Sequence, residues 1–381
     1  MRIPGVRTLA GLARSLPLPE LPLPGLEGLR GPDGPSADEV DGYFPADSMI
    51  RRVHRQRLVA FSGVRALFMQ ACDPLAVVGF QRHSAIFSDP KTRLQSTDER
   101  MSRMYFGDAA QAETTGAEIR EMHSRVRGKT AKDYGPIPAG TPYAADDPEL
   151  GLWTLTTLAD SALVYYGRLI GELDADERQS YWDDYRRIGE LLGMPVDSMP
   201  STEPEMRDYV RGRCRDGTLW ISGEVRDLAI GVIFEPPFEG WVRLALTPVG
   251  EVVKLTTIGL LPPELRRMYG FNWDPAREAL LRSTIVQLRI ASKAWPDLVR
   301  LHPAARAPAG ELFGAEGRGE EWRAEFAVST RPGPEAQADD DAEPDEVADG
   351  NRSVVGALSR LEQALSDEPR ESRRGVPDEP E

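Results

Sequence analysis

The chain has 381 residues, 40% of them hydrophobic and 28% charged, with a formal net charge of −15 and two cysteines. That length allows about two or three domains as a prior, and the composition excludes a fibrous or disulfide-built scaffold. The acidity sits in the last fifty residues, where 331–381 carry a net −9, and no basic stripe with interleaved aromatics points to nucleic acid.

Residues 1–43 read as an extended arm. Prolines at 4, 17, 19, 22 and 24 forbid a helix interior and break any apolar core of a secretory signal. The leucines of this arm could lie in a groove of the body or of a second subunit, which makes a homo-oligomer through the arm one reading; a disordered leader is the other. The body spans 44–304. Apolar residues from Leu58 to Ala71 recur at spacings of three and four, which predicts one helix over 48–71. Asp73-Pro74 reads as an N-cap with proline at the first helical position, opening a helix over 74–87. Thr97 is expected to cap a helix over 98–106, and a longer helix over 108–127 stops at Gly128. A Pro/Gly-rich loop over 129–147 leads into the most apolar helix, 148–171.

Asp174-Ala-Asp-Glu177 predicts a capped helix ending near Leu192, and Ser201-Thr-Glu-Pro-Glu205 another over 203–216. Two apolar stretches, 219–234 and 241–261, flank Glu235-Pro-Pro-Phe238, and the last body helix is 275–295. The one expected strand pair is around 251–260. The fold class is therefore all-α, a single large helical domain. A linker over 305–330 and a disordered acidic tail over 331–381 complete the chain, with Val354, Leu358, Leu361 and Leu365 at helical spacing inside the tail.

No stretch of about 18 apolar residues predicts a transmembrane span. Cys72 and Cys214 suit a reducing compartment, so the expected location is cytoplasmic, with peripheral membrane association as a variant. Phosphate-binding glycine loops, nucleophile elbows and zinc-protease signatures are absent. Four histidines (His54, His83, His123, His302), none preceded by Glu at three residues, exclude a paired-carboxylate di-iron site. What remains is a group that needs one protein ligand, and haem is such a group. His123 lies on a helix with Ile119, Met122 and Val126, and Arg120, Arg125 and Arg127 could reach propionate carboxylates. A lone helical histidine is more often a packing or surface residue.

The residues from His83 to Tyr209 resemble the catalytic domain shared by MpaB-type oxygenases and the latex-clearing, rubber-cleaving oxygenases. The resemblance is carried by His83-Ser84, Asp89-Pro-Lys-Thr-Arg93-Leu-Gln-Ser-Thr97, Phe106-Gly107 and His123-Ser-Arg-Val-Arg-Gly128. It continues through Gly140-Thr-Pro-Tyr143, Asp146-Asp-Pro-Glu-Leu150, Trp153, Asp160-Ser161, Leu191-Leu-Gly-Met-Pro195 and Met199-Pro-Ser-Thr202.

The resemblance implies an all-α fold with globin-like packing, a haem b cofactor and an axial histidine at the position of His123. It also implies haem-side roles for Arg93 and Thr97, and dioxygen plus a hydrophobic, isoprenoid-like small molecule as substrates; Arg127 and His83 are further candidate cofactor contacts, His83 with capping or a hydrogen bond between helices as its other reading. Two departures stand out: Ser96 replaces the lysine of the family's Arg-x-x-Lys-Thr element, and Leu155 replaces the histidine of its Trp-Val-His. They keep a second reading open, that of a non-catalytic haem- or lipid-binding helical protein. Asp160 in the apolar helix calls for an arginine partner, since a buried carboxylate is costly without one.

Overall fold

Acidic and hydroxyl side chains set where six of the helices begin. Asp73 accepts from the backbone N–H groups of Leu75 and Ala76 at 2.9 and 3.1 Å. Asp108, Asp174 and Thr202 each close a capping box with Gln111, Glu177 and Glu205, and Asp147 and Asp274 cap helices with proline in the first turn. Each such cap stabilises its helix by about 0.5–2 kcal/mol, because it satisfies N–H groups that have no partner within the helix.

The computed structural model describes residues 42–83, 90–234 and 240–305, with side chains over 42–79, 96–231 and 247–305. The proline arm, the Glu235-Pro-Pro-Phe238 separator, most of the linker, the acidic tail and its apolar 354–365 segment lie outside the described residues. The chain divides into two units, Met1–Arg331 and Pro332–Glu381, and every described residue belongs to the first.

In chain order come α1 (Met49–His54), α2 (Arg57–Ala60), α3 (Ser62–Gln70), α4 (Pro74–His83), α5 (Pro90–Phe106) and α6 (Ala109–Ser124). A short antiparallel ribbon follows, β1 (Arg127–Lys129) against β2 (Pro142–Ala144), with Gly128 opposite Tyr143. Then come α7 (Pro148–Leu169), α8 (Ala175–Leu191), a 3-10 turn (Val196–Ser198) and α9 (Glu203–Arg213). The series ends with α10 (Gly223–Phe234), α11 (Gly240–Leu260), α12 (Pro263–Met268), α13 (Pro275–Ala294) and α14 (Asp297–Arg300). The protein is all-α, as its periodicity predicts.

The centre of this unit is α7. It packs against α1, α2, α3, α8, α9 and α13, and it buries Trp153, Leu155, Ala159, Ala162, Tyr165, Tyr166 and Leu169. A helix touched from several sides reads as apolar nearly all round, which is why it stands out in the sequence. Leu155 comes so close to α8 that a side chain at Gly189 would collide: a Cβ there would lie 3.0 Å from Leu155 Cδ2 and 2.4 Å from Met199 Sδ.

Four expectations need correction. The single helix over 48–71 is three helices, because Gln56 adopts extended backbone and pairs with Leu301, while Arg55 O accepts from the His302 N–H at 2.8 Å. Periodicity cannot register a distant strand-like partner. Thr97 caps nothing; α5 starts at Pro90 and Thr97 lies inside it. The helix expected to run to 127 ends at Ser124, and Gly128 sits in β1. The strand pair expected around 251–260 is instead part of α11, where Thr256 and Thr257 are buried as helix residues. Among smaller shifts, α9 ends at Arg213 and α4 is described only to His83.

Candidate functional site

The last turn of α6 carries His123, and the sequence positions that turn through two close approaches. Ala112, Gly116, Ile119 and Met122 form a buried stripe, and spacing of three and four puts His123 on the same side as Ala112, Gly116 and Ile119. At Gly116 a Cβ would lie 2.8 Å from Leu191 O, so only glycine lets α6 meet the end of α8 there. Arg120 donates to that same carbonyl. Past Leu191 the chain turns at Gly193, whose φ of +84° favours glycine. His123 is half-buried. Beside it, Val126 joins Val78 of α4 and Tyr143 of β2 in a small apolar cluster.

Two other imidazoles are committed to protein partners. His302 Nδ1 accepts from the Ala304 N–H at 3.2 Å, and its Nε2 lies 3.5 Å from Asp98. His54 is half-buried and stacks on Tyr105 with ring centroids 4.0 Å apart. Its Nε2 lies 3.0 Å from Tyr181 Oη and 3.3 Å from Tyr185 Oη, and Tyr185 Oη lies 2.8 Å from Tyr105 Oη. Burial, reinforced by His302, lowers His54 to about 3, so the ring is neutral at physiological pH. Burial likewise pushes the Tyr185 phenol up to about 12. Both thiols are buried and free, and desolvation raises each to about 12, which keeps them out of thiolate chemistry. Among the described residues, no group of three or more His, Cys, Asp or Glu could hold a metal ion.

A second polar assembly lies inside the helices. Asp160 Oδ2 pairs with Arg65 at 2.9 Å, the arginine partner the sequence calls for. The same guanidinium donates to Ser161 Oγ at 2.6 Å and to Leu260 O at 2.8 Å. Gln70 adds a bond to Thr157 Oγ1 at 3.0 Å. This network ties α3, α7 and the end of α11 together, and the Asp160-Ser161 pair is its sequence signature. The tyrosine-histidine cluster had a weaker signal, the i, i+4 pair Tyr181 and Tyr185 on α8.

Three of the sequence-predicted site residues, Arg93, Thr97 and His123, lie on the two helices of one hairpin. Gly107 and Asp108 join α5 to α6, and the two helices pack together. Arg93 and His123 therefore stand at comparable distances from that turn, about 20 Å at 1.5 Å per residue. Here α4 approaches too: a Cβ on Gly79 would lie 3.8 Å from Val126 Cγ1, and His83 follows one turn later at the end of α4. The side chains of His83 and Arg93 lie outside the described residues. Thr97 is exposed. Arg127 is exposed and ion-paired with Asp146, and its Nε donates to Ser124 O at 2.8 Å.

Elsewhere, an open cleft of about 540 Å³ lies among Leu152, Arg186, Met199, Glu205 and Tyr209. None of the five predicted site residues lines it. Leu155, where the resemblance implies a histidine, is 2% exposed in the core.

Comparison with known proteins gives a consistent family. The family described as ER-bound oxygenase mpaB/B′/Rubber oxygenase, catalytic domain, matches residues 51–290. The uncharacterized protein Mb2261 of Mycobacterium bovis is 25% identical over 211 residues, covering 55% of this chain and 78% of that protein. The uncharacterized protein Rv2237 of Mycobacterium tuberculosis matches to the same extent. No solved structure gives a significant match.

Proposed function

Because the chain belongs to the family of mpaB/B′ and rubber oxygenase catalytic domains, we propose that it is a haem b-dependent oxygenase acting on a hydrophobic, isoprenoid-like substrate. The observation that supports this reading is His123 itself, half-buried in the last turn of α6 on the side of Gly116 and Ile119, with Val126 and Val78 of α4 packed close by. The donor set fits such a cofactor. One imidazole suffices to hold a haem, whereas a bare metal ion needs a cluster of side chains that the described residues lack.

Haem, when bound, supplies the dioxygen chemistry, and the protein's part is binding, orientation and exclusion of water. His123 would hold the iron. Arg93 and Thr97, from the start and middle of α5, would hold a propionate and donate a hydrogen bond beside the cofactor. His83 would face the same end from α4. Arg127 could serve a second propionate only in competition with Asp146. The apolar neighbours Val78, Val126 and Tyr143 keep water from that end of α6.

Purified protein reconstituted with haem should show a Soret band, lost in His123→Ala, and should consume dioxygen with a polyunsaturated isoprenoid. A colourless protein, or a Soret band that survives His123→Ala, overturns the assignment. A second reading, non-catalytic haem or lipid binding, is favoured by Leu155, which packs in the core where the resemblance implies a histidine. A Soret band without dioxygen consumption would select it.

A further inference from the structure

Among the described residues, most of the exposed large hydrophobic side chains fall on two helices adjacent in sequence. Of seven, five lie on α13 and α14: Leu280 (57%), Val286 (55%), Ile290 (67%), Leu298 (39%) and Val299 (37%). The inner face of α13 is anchored through Leu281 and Ser292, which are buried. Its outer face leaves Leu280, Val286 and Ile290 in water, with Ala276, Ala279, Ser283 and Ala294 exposed among them. At 100° per residue these positions form one continuous arc. Clustering of this kind marks an interaction surface, since scattered single apolar residues would be ordinary.

Charge identifies the occupant. Along one edge of the arc run Arg282, Arg289 and Lys293, which the same helical geometry sets beside Val286 and Ile290. Across its length α13 carries four basic residues against one acidic, Glu278, although the whole chain is net −15. Glu278 takes Arg282 as its partner, and Asp274 takes Arg277. A second copy of the chain would bring equal basic rows together, which costs energy. An anionic bilayer meets both rows at once, because the apolar row enters the acyl boundary while the basic edge meets lipid phosphates. No helix among the described residues is long and apolar enough to cross a membrane, so contact would be at the surface.

We infer that the outer face of α13 docks the protein on an anionic phospholipid surface. This inference stands apart from the haem assignment and uses none of its residues. The test is co-sedimentation of the full chain with vesicles of phosphatidylcholine, with and without phosphatidylserine. Binding should require phosphatidylserine and weaken steeply as salt rises from about 0.05 to about 0.5 M. Ile290→Glu and Val286→Glu should each reduce binding at least about tenfold. Arg289→Gln and Lys293→Gln should each reduce it about fivefold. These positions touch solvent, so unchanged thermal melts serve as the control for folding. Failure of the native chain to bind such vesicles overturns the proposal, as does binding indifferent to Ile290→Glu. A dimer in solution that Ile290→Glu dissociates would also overturn it and assign the face to a second copy.

Discussion

Helices α7 and α13 are nearly equal in length, at 22 and 20 residues, yet they use their apolar side chains in opposite ways. The first is covered on several sides, and even its polar residues Asp160 and Ser161 are drawn inward onto Arg65. The second buries a narrow stripe and shows Val286 and Ile290 to solvent. Apolar content alone does not separate them. What does is the company each residue keeps: threonines bonded to carbonyls inside α7, arginine and lysine bordering α13.

Stability measurements should break or sharpen this contrast. The largest effect is expected at Asp160→Ala, which strands the Arg65 guanidinium in a buried site. Urea denaturation should show a loss of about 3–5 kcal/mol. A loss below about 1 kcal/mol would mean that the inward polar face of α7 is dispensable.

A smaller effect comes from the other interior polar cluster. Native His54 stays neutral down to about pH 3, while the ring in the unfolded chain takes up a proton near its ordinary value of 6.5. Stability from this group is therefore complete above about pH 6.5 and declines as the pH falls toward 3, by about 1.4 kcal/mol per unit. Between pH 6.5 and 5 the native chain should lose about 2 kcal/mol that a His54→Gln variant does not lose. Equal pH slopes for the two proteins would contradict the neutral, desolvated ring.

The smallest effect is expected on α13. Ile290→Ser should change stability by no more than about 0.5 kcal/mol, because that side chain has little packing to lose. A loss of about 2 kcal/mol would show that the face is covered in the free protein.

Much of this architecture is legible in the sequence, and the reasons differ by element. Caps at Asp73, Asp174 and Thr202 are local chemistry, visible within four residues. The apolar run of α7 is visible because so much of it is buried. The break at Gln56 is not, since its cause is Leu301, far along the chain. The ribbon of Arg127–Lys129 and Pro142–Ala144 is too short for alternation to show, and Gly128 there looks like a helix stop. Of the candidate site, the motif around His123 is readable because its spacing is short, and Asp160 announces a buried partner. Which arginine answers it, and which tyrosines surround His54, depends on helices that meet only in three dimensions.

The reach of Arg65 has a consequence for how this part of the molecule breathes. One side chain from α3 contacts α7 twice and the final carbonyl of α11 once. Separating α3 from α7 would leave Asp160 as an unpaired carboxylate in a hydrocarbon interior, so partial opening there is costly. Amide protons of α3 and α7 and those of the last turn of α11 should therefore trade with deuterated solvent at one shared, slow rate. The lysine variant, with a single point charge in place of a planar fork, should split that rate into separate ones.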